Sequence, residues 1–137
     1  MKSNPIISYW MQKAGEDLAS AEGNYQASRL SNAVRDAYYA CFHAFSAVLF
    51  AGGRTFKKHR EVRSILHREF VREKKIEEIW GKHYDWLFDN RQKADYRPLV
   101  EFDPDQIREI ILESRKFVSA MEEIIESITS ETPPNQG

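Results

Sequence analysis

The chain has few of the residues that build disulfide, metal or membrane structures. It contains a single cysteine, Cys41, so neither an intramolecular disulfide nor a cysteine metal cluster can form within one copy. No segment has the length and apolarity of a membrane span, and the N-terminus lacks the basic segment and apolar run of a secretory signal. We therefore expect a cytoplasmic protein without membrane contact.

Common catalytic and metal-binding motifs are also absent. The sequence contains no glycine-rich phosphate loop, no His-Glu-x-x-His and no nucleophile elbow. The residue three positions before each histidine is never glutamate, so the Glu-x-x-His pattern of di-iron helical bundles is missing. We expect neither a metal nor a cofactor.

Positive and negative charges nearly balance overall, but positive charge is concentrated in the middle of the chain. The formal net charge of −1 gives no general case for binding a polyanion. Residues 52–75, however, hold nine lysines and arginines against three acids, whereas residues 76–137 hold seven against fourteen. The basic segment is either a solvated helix face or a phosphate-binding patch, which would comprise Lys57, Lys58, His59 and Arg60.

One long apolar stretch, Ser31–Ala51, organises the sequence. It contains no glycine or proline, and its alanines recur at steps of three and four: Ala33, Ala37, Ala40, Ala44, Ala47 and Ala51. Small side chains in one line allow another helix to approach closely. This pattern predicts the central helix of a bundle.

The remaining segments also predict helices. No stretch alternates with period two, and no internal repeat is evident. Helical periodicity and capping signals place helices at about Pro5–Gln26, after Gly52-Gly53, from near Lys75, and from the Asp103 cap to about Ile128. We predict an all-α, antiparallel up-and-down bundle of four to five helices. It would form one domain over residues 1–128, with residues 129–137 as a disordered tail.

Two of these helices carry polar groups where apolar ones are expected. The central helix carries a line of polar residues: Asp36, Tyr39, His43 and Ser46. This line is either an interface between helices or protomers in which every polar group has a hydrogen-bond partner, or one wall of a functional site. Arg91 continues the apolar series of the fourth helix. An arginine in such a position should pair with a carboxylate or hold an anion.

Three segments together resemble a known family. The sequence resembles the HEPN (higher eukaryotes and prokaryotes nucleotide-binding) family in these segments. They are the run Asp36–Ala44, the pair Lys58-His59, and the run Arg91–Tyr96 followed by Pro98. The closest match is its small stand-alone prokaryotic branch, over about residues 5–128. The resemblance implies a bundle that dimerises through its central helices. It also implies frequent pairing with a small nucleotidyltransferase, often as a toxin–antitoxin module.

The resemblance also implies a chemistry. Active members are metal-independent endoribonucleases with an Arg-x(4–6)-His motif, to which both protomers contribute in one cleft. Arg91 matches the arginine, but Tyr96 stands at the place of the histidine and Gln92 follows the arginine. Tyrosine has a pKa near 10 and is a poor base at neutral pH. His43 could substitute if the central helix faces Arg91.

Three hypotheses follow for the function. The first is a dimer that binds nucleotide or RNA phosphate through Arg91, Asp95 and the basic patch, with Asp36 and Tyr39 as a supporting polar face. The second is an active metal-independent endoribonuclease that uses Arg91 with His43, Asp95 or Tyr96. The third is a non-catalytic interaction module. Because the nucleotidyltransferase of some family pairs adenylylates a tyrosine near the motif, Tyr96 is also a candidate for modification.

Overall fold

The described part of the chain forms five α-helices. The computed structural model describes residues 4–56, 58–96 and 101–130, and of Tyr96 and Ser130 it describes the backbone alone. The helices are α1 (Pro5–Gln26), α2 (Leu30–Ala51), α3 (His59–Ile65), α4 (Glu78–Tyr96) and α5 (Pro104–Ser130), and α3 continues as a π-helical segment, Leu66–Val71. No strand occurs within these ranges. The predicted all-α bundle is confirmed.

The helix starts follow the capping signals in the sequence. The Asn4 side chain accepts hydrogen bonds from the backbone N–H groups of Ile6 and Ile7, with Pro5 at the first helical position.

Two helix boundaries differ from the prediction. Helix α4 begins at Glu78 rather than near Lys75, after Lys74 adopts a left-handed backbone conformation. Helix α5 runs past Ile128 to Ser130, and residues 131–137 of the expected tail lie outside the described ranges.

Helix α2 is the centre of the bundle, because it packs against α1, α4 and α5. Five alanines of its small-residue line are fully buried within one chain: Ala33, Ala37, Ala40, Ala44 and Ala47. That line is therefore covered by helices of the same copy. Cys41 is buried beside it, and burial raises the pKa of its thiol to about 12. None of the described helices is long and apolar enough to cross a membrane.

The π-helical segment lies close against α4 at a glycine. A Cβ atom on Gly81 would lie 2.9 Å from Cε1 of His67 and 3.0 Å from Cγ2 of Val71. The same interface is pinned by a hydrogen bond of 2.8 Å between Nε2 of His67 and the carboxylate of Asp85. Gly81 thus permits an approach that a larger residue would block.

One buried histidine joins α4 to α5. Nε2 of His83 lies 2.9 Å from Oγ of Ser114, and both side chains are buried. Burial lowers the pKa of His83 to about 4 from its ordinary value of 6.5. The folded protein therefore keeps this imidazole neutral in mildly acid solution.

We predict that His83 makes the fold acid-sensitive. The unfolded chain takes up a proton on this residue near pH 6.5, whereas the folded chain resists protonation until about pH 4. The stabilisation is complete above pH 6.5, and about 3 kcal/mol is lost as the pH falls to 4. Urea unfolding across this window should show a steeper decline for the wild type than for His83→Gln. Parallel declines would contradict the prediction.

Candidate phosphate-binding site

Arg91 lies near the C-terminal end of α4 with most of its side chain buried. The side chain is 15% exposed, and its guanidinium carbon lies 4.8 Å from the centre of the Tyr38 ring. Its Nε is buried and has no hydrogen-bond partner. The Asp95 carboxylate is 3.9 Å away, which is too long for a hydrogen bond. The guanidinium is therefore stacked and largely removed from water, with donors left unused.

Asp95 lies between two arginines without bonding closely to either. Its carboxylate is 3.7 Å from Arg35 and 3.9 Å from Arg91, with the Asp95 side chain 21% exposed. At these distances the attraction is mainly electrostatic and screened by water. Two positive groups and one negative group leave a local excess of positive charge.

Tyr38 connects Arg91 to His59. Nδ1 of His59 lies 2.8 Å from the Tyr38 hydroxyl, and the imidazole stacks flat on Phe42 with the ring centres 4.2 Å apart. Burial lowers the pKa of His59, and the positive charge of Arg91 and the proximity of His43 lower it further. Sequence reasoning assigned His59 only to the basic patch, whereas the structure joins it to the arginine site through Tyr38.

His43 belongs to a second polar pair. Its Nδ1 donates to the Asp17 carboxylate over 2.6 Å, with the two side chains 14% and 22% exposed. Its ring stacks on the Trp10 ring, with the ring centres 5.1 Å apart, and its centre lies 5.8 Å from the centre of the Tyr39 ring. Asp17 was missed by sequence reasoning. The sequence does contain a signal for Asp17. It follows Trp10 and Ala14 at steps of four and three, so a charged residue stands on an otherwise apolar helix face.

The rest of the polar line on α2 serves the bundle. The Asp36 carboxylate accepts hydrogen bonds from Ser20 (2.8 Å) and Asn24 (2.7 Å), which ties α1 to α2. The Ser46 hydroxyl donates to the carbonyl oxygen of Phe42 in its own helix. Tyr39 lies between the two histidines, with its ring 5.8 Å from His43 and 5.9 Å from His59.

The other predicted site residues are spread out or lie outside the described ranges. Lys58 and Arg60 are exposed at the start of α3. Lys57 is not among the described residues, nor is the side chain of Tyr96, so the predictions for both stay untested. Among the residues that are described, no three His, Cys, Asp or Glu side chains lie close enough to hold a metal ion.

The helical bundle places the chain among the small all-α proteins. Comparison with known families shows which of these families it belongs to. A profile of the HEPN domain matches residues 7–124, and the chain belongs to the HEPN family. A UPF0332 protein of Thermotoga maritima is 38% identical over 123 residues, which cover 90% of this chain and 93% of the relative.

Two archaeal proteins also match. Both come from Methanocaldococcus jannaschii and are described as "putative toxin". One is 33% identical over 84% of this chain and 85% of its own length. The other is 23% identical over 80% of this chain and 74% of its own length.

We predict that Asp36 supports the fold and not the site. Asp36→Ala removes two hydrogen bonds between α1 and α2 and should lower the free energy of unfolding by about 1–2 kcal/mol. The matched control is Glu109→Ala on the exposed face of α5, expected to stay within about 0.5 kcal/mol of the wild type. Urea denaturation provides the measurement. Equal stability of the two variants would contradict the prediction.

Proposed function

We propose that this chain is a toxin-type HEPN protein that binds RNA or nucleotide phosphate at Arg91. The observation that carries the proposal is the Arg91 guanidinium, which is 15% exposed and has an Nε without a partner. Burying a charged group without hydrogen bonds is unfavourable, and a bound anion would supply them. Arginine suits phosphate because its planar donors match two phosphate oxygens at once.

The neighbours of Arg91 favour an anion. Burial raises the pKa of Tyr38 to about 12, so the phenol beneath the guanidinium stays neutral at physiological pH. The pKa of His59 is lowered, so its imidazole is also neutral near pH 7. Asp95 is then the single carboxylate, among the described residues, that forms an ion pair with Arg91. A phosphate would compete with one loosely held carboxylate rather than with a tight salt bridge.

RNA is the polyanion that the surroundings favour. Tyr39 and Trp10 are half-buried aromatic side chains in the same region, and unstacked RNA bases bind to such rings. Lys58 directly before α3 and Arg60 on α3 are exposed and can neutralise further phosphates. The names of the two archaeal relatives support a toxin-type role, and the family resemblance supports a nucleotidyltransferase partner.

A homodimer is part of this proposal. Tyr39 and His43 are half-buried, and Ile6 and Tyr9 on α1 are 51% and 54% exposed beside Trp10. A second copy at this surface would cover exposed apolar groups and bring two sites into one cleft. Sedimentation equilibrium at micromolar concentration tests this point, and a monomer would remove it.

We predict that RNA binding depends on Arg91. Arg91→Met keeps much of the side-chain volume but removes the charge, and should weaken binding of a short fluorescein-labelled oligouridine about tenfold or more. Lys116→Met, at an exposed position of α5, should bind like the wild type. Fluorescence anisotropy measures the affinity. Unchanged affinity in a less stable Arg91 variant would contradict the proposal and favour the interaction module.

The second candidate function is metal-independent RNA cleavage, and the His43–Asp17 pair favours it. The Asp17 carboxylate accepts a hydrogen bond from Nδ1–H of His43. Nε2 of the same imidazole is therefore unprotonated and can accept a proton. In this reaction the ribose 2′-hydroxyl gives its proton to Nε2, and the 2′-oxygen attacks the phosphorus atom held by Arg91. The bond from phosphorus to the 5′-oxygen breaks, and that oxygen takes a proton from water. The imidazolium returns its proton to solvent, and the products are a 2′,3′-cyclic phosphate and a 5′-hydroxyl.

If the chain is a ribonuclease, end-labelled RNA should be cleaved in the presence of EDTA. Cleavage should fall by at least about a hundredfold in both Arg91→Ala and His43→Ala, because each removes a reacting group. A DNA strand of the same sequence is the control, since it lacks the 2′-hydroxyl and should stay intact. No cleavage by pure dimeric wild type would eliminate this candidate and leave phosphate binding as the function.

A further inference from the structure

A row of hydroxyl and imidazole groups runs from the core to the arginine site. The fully buried Tyr84 hydroxyl interacts with the Tyr38 hydroxyl, although their contact does not meet full hydrogen-bond geometry. The Tyr38 hydroxyl lies 2.8 Å from Nδ1 of His59. Nε2 of His59 has no hydrogen-bond partner in the described chain. The row therefore ends at an imidazole nitrogen without a partner among the described residues, on a histidine whose pKa the charge of Arg91 lowers.

The order of the hydroxyls, with Tyr84 in the core and His59 at the outer end, favours proton donation toward His59. Burial raises the pKa of both tyrosines, so both keep their protons. The Tyr84 hydroxyl interacts with the Tyr38 hydroxyl from the core side without forming a full hydrogen bond. We infer that Tyr38 donates its own proton to Nδ1 of His59 across the 2.8 Å contact. A neutral imidazole that accepts at Nδ1 carries its hydrogen on Nε2.

We propose that His59 is a second phosphate ligand, whose Nε2–H donates to an oxygen of the phosphate that Arg91 binds. This inference rests on the proposed function and adds a specific role to it. Arg91 and His59 are held on the same residue, Tyr38, the first over its ring and the second by its hydroxyl. Phe42 fixes the plane of the imidazole from below. The donor is thus positioned before the anion arrives.

The two histidines of the site have opposite tautomers in this arrangement. The Asp17 carboxylate holds the hydrogen of His43 on Nδ1, so Nε2 of His43 is an acceptor. His59 receives a hydrogen bond at Nδ1, so its Nε2 is a donor. His59 therefore binds the anion, and any proton acceptor for the ribose hydroxyl is His43.

The charges around His59 keep it neutral until an anion binds. The groups that face it are Tyr38, Tyr39 and His43 from α2 and Arg91 from α4. The positive charge of Arg91 opposes protonation of His59 in the free protein. A bound phosphate would offset that charge, so the pKa of His59 should rise on binding.

NMR of the imidazole nitrogens tests the tautomer without an RNA ligand. At pH 7 the free wild type should show a pyridine-like Nδ1 and a pyrrole-like Nε2 for His59, and Tyr38→Phe should lose this preference. Inorganic phosphate should shift the His59 signals and raise the pKa of His59, whereas His67 on the π-helical segment should respond little. A pyrrole-like Nδ1, or no response of His59 to phosphate, would overturn the proposal.

Binding of the labelled oligouridine tests the role. His59→Leu should weaken affinity about tenfold. His59→Gln should stay within about threefold of the wild type, because its amide nitrogen can occupy the position of Nε2. His67→Leu is the matched control and should bind normally. If affinity is lost in Arg91→Met but kept in His59→Leu, the His59 role is wrong and the proposed function stands. If the wild type binds neither the RNA nor phosphate, both are wrong.

Discussion

The close packing of helices against α2 is the constraint on which the rest of the structure depends. Five alanines of α2 are fully buried, so its neighbours approach nearer than larger side chains would allow. The large residues beside these alanines must then fill the remaining space, and Tyr38 and Phe45 are buried completely. Tyr38 is held between α2 and α4 for this reason, and it can serve as a fixed support for other groups.

The candidate site is a consequence of that fixed tyrosine. The ring of Tyr38 supports the Arg91 guanidinium, and its hydroxyl orients His59. The arginine is drawn out of water by stacking, but it receives no hydrogen bond in return from the described residues. Desolvation strengthens the attraction of Arg91 for an anion, because water no longer screens the charge. A packing contact in the core thus positions the arginine that we propose for anion binding.

The sequence predicted the fold more completely than the site. Helix periodicity, the Asn4 cap and the alanine steps depend on local rules, and the bundle followed from them. Arg91 could be singled out because a charge interrupted an apolar series. The partners of His43 and His59 could not be assigned, because Asp17 and Tyr38 reach them across helix interfaces. Side-chain direction in three dimensions decides such pairs, and sequence spacing does not encode it.

The single cysteine gives this bundle an internal reporter of its own opening. Cys41 is fully buried on α2, and its thiol has a pKa of about 12, so the thiolate that reacts with labelling reagents is scarce in the closed bundle. Reaction then requires the helices around α2 to separate, and the labelling rate measures how often they do. Because no other cysteine competes, the modification reports the dynamics of the central helix without any engineered probe.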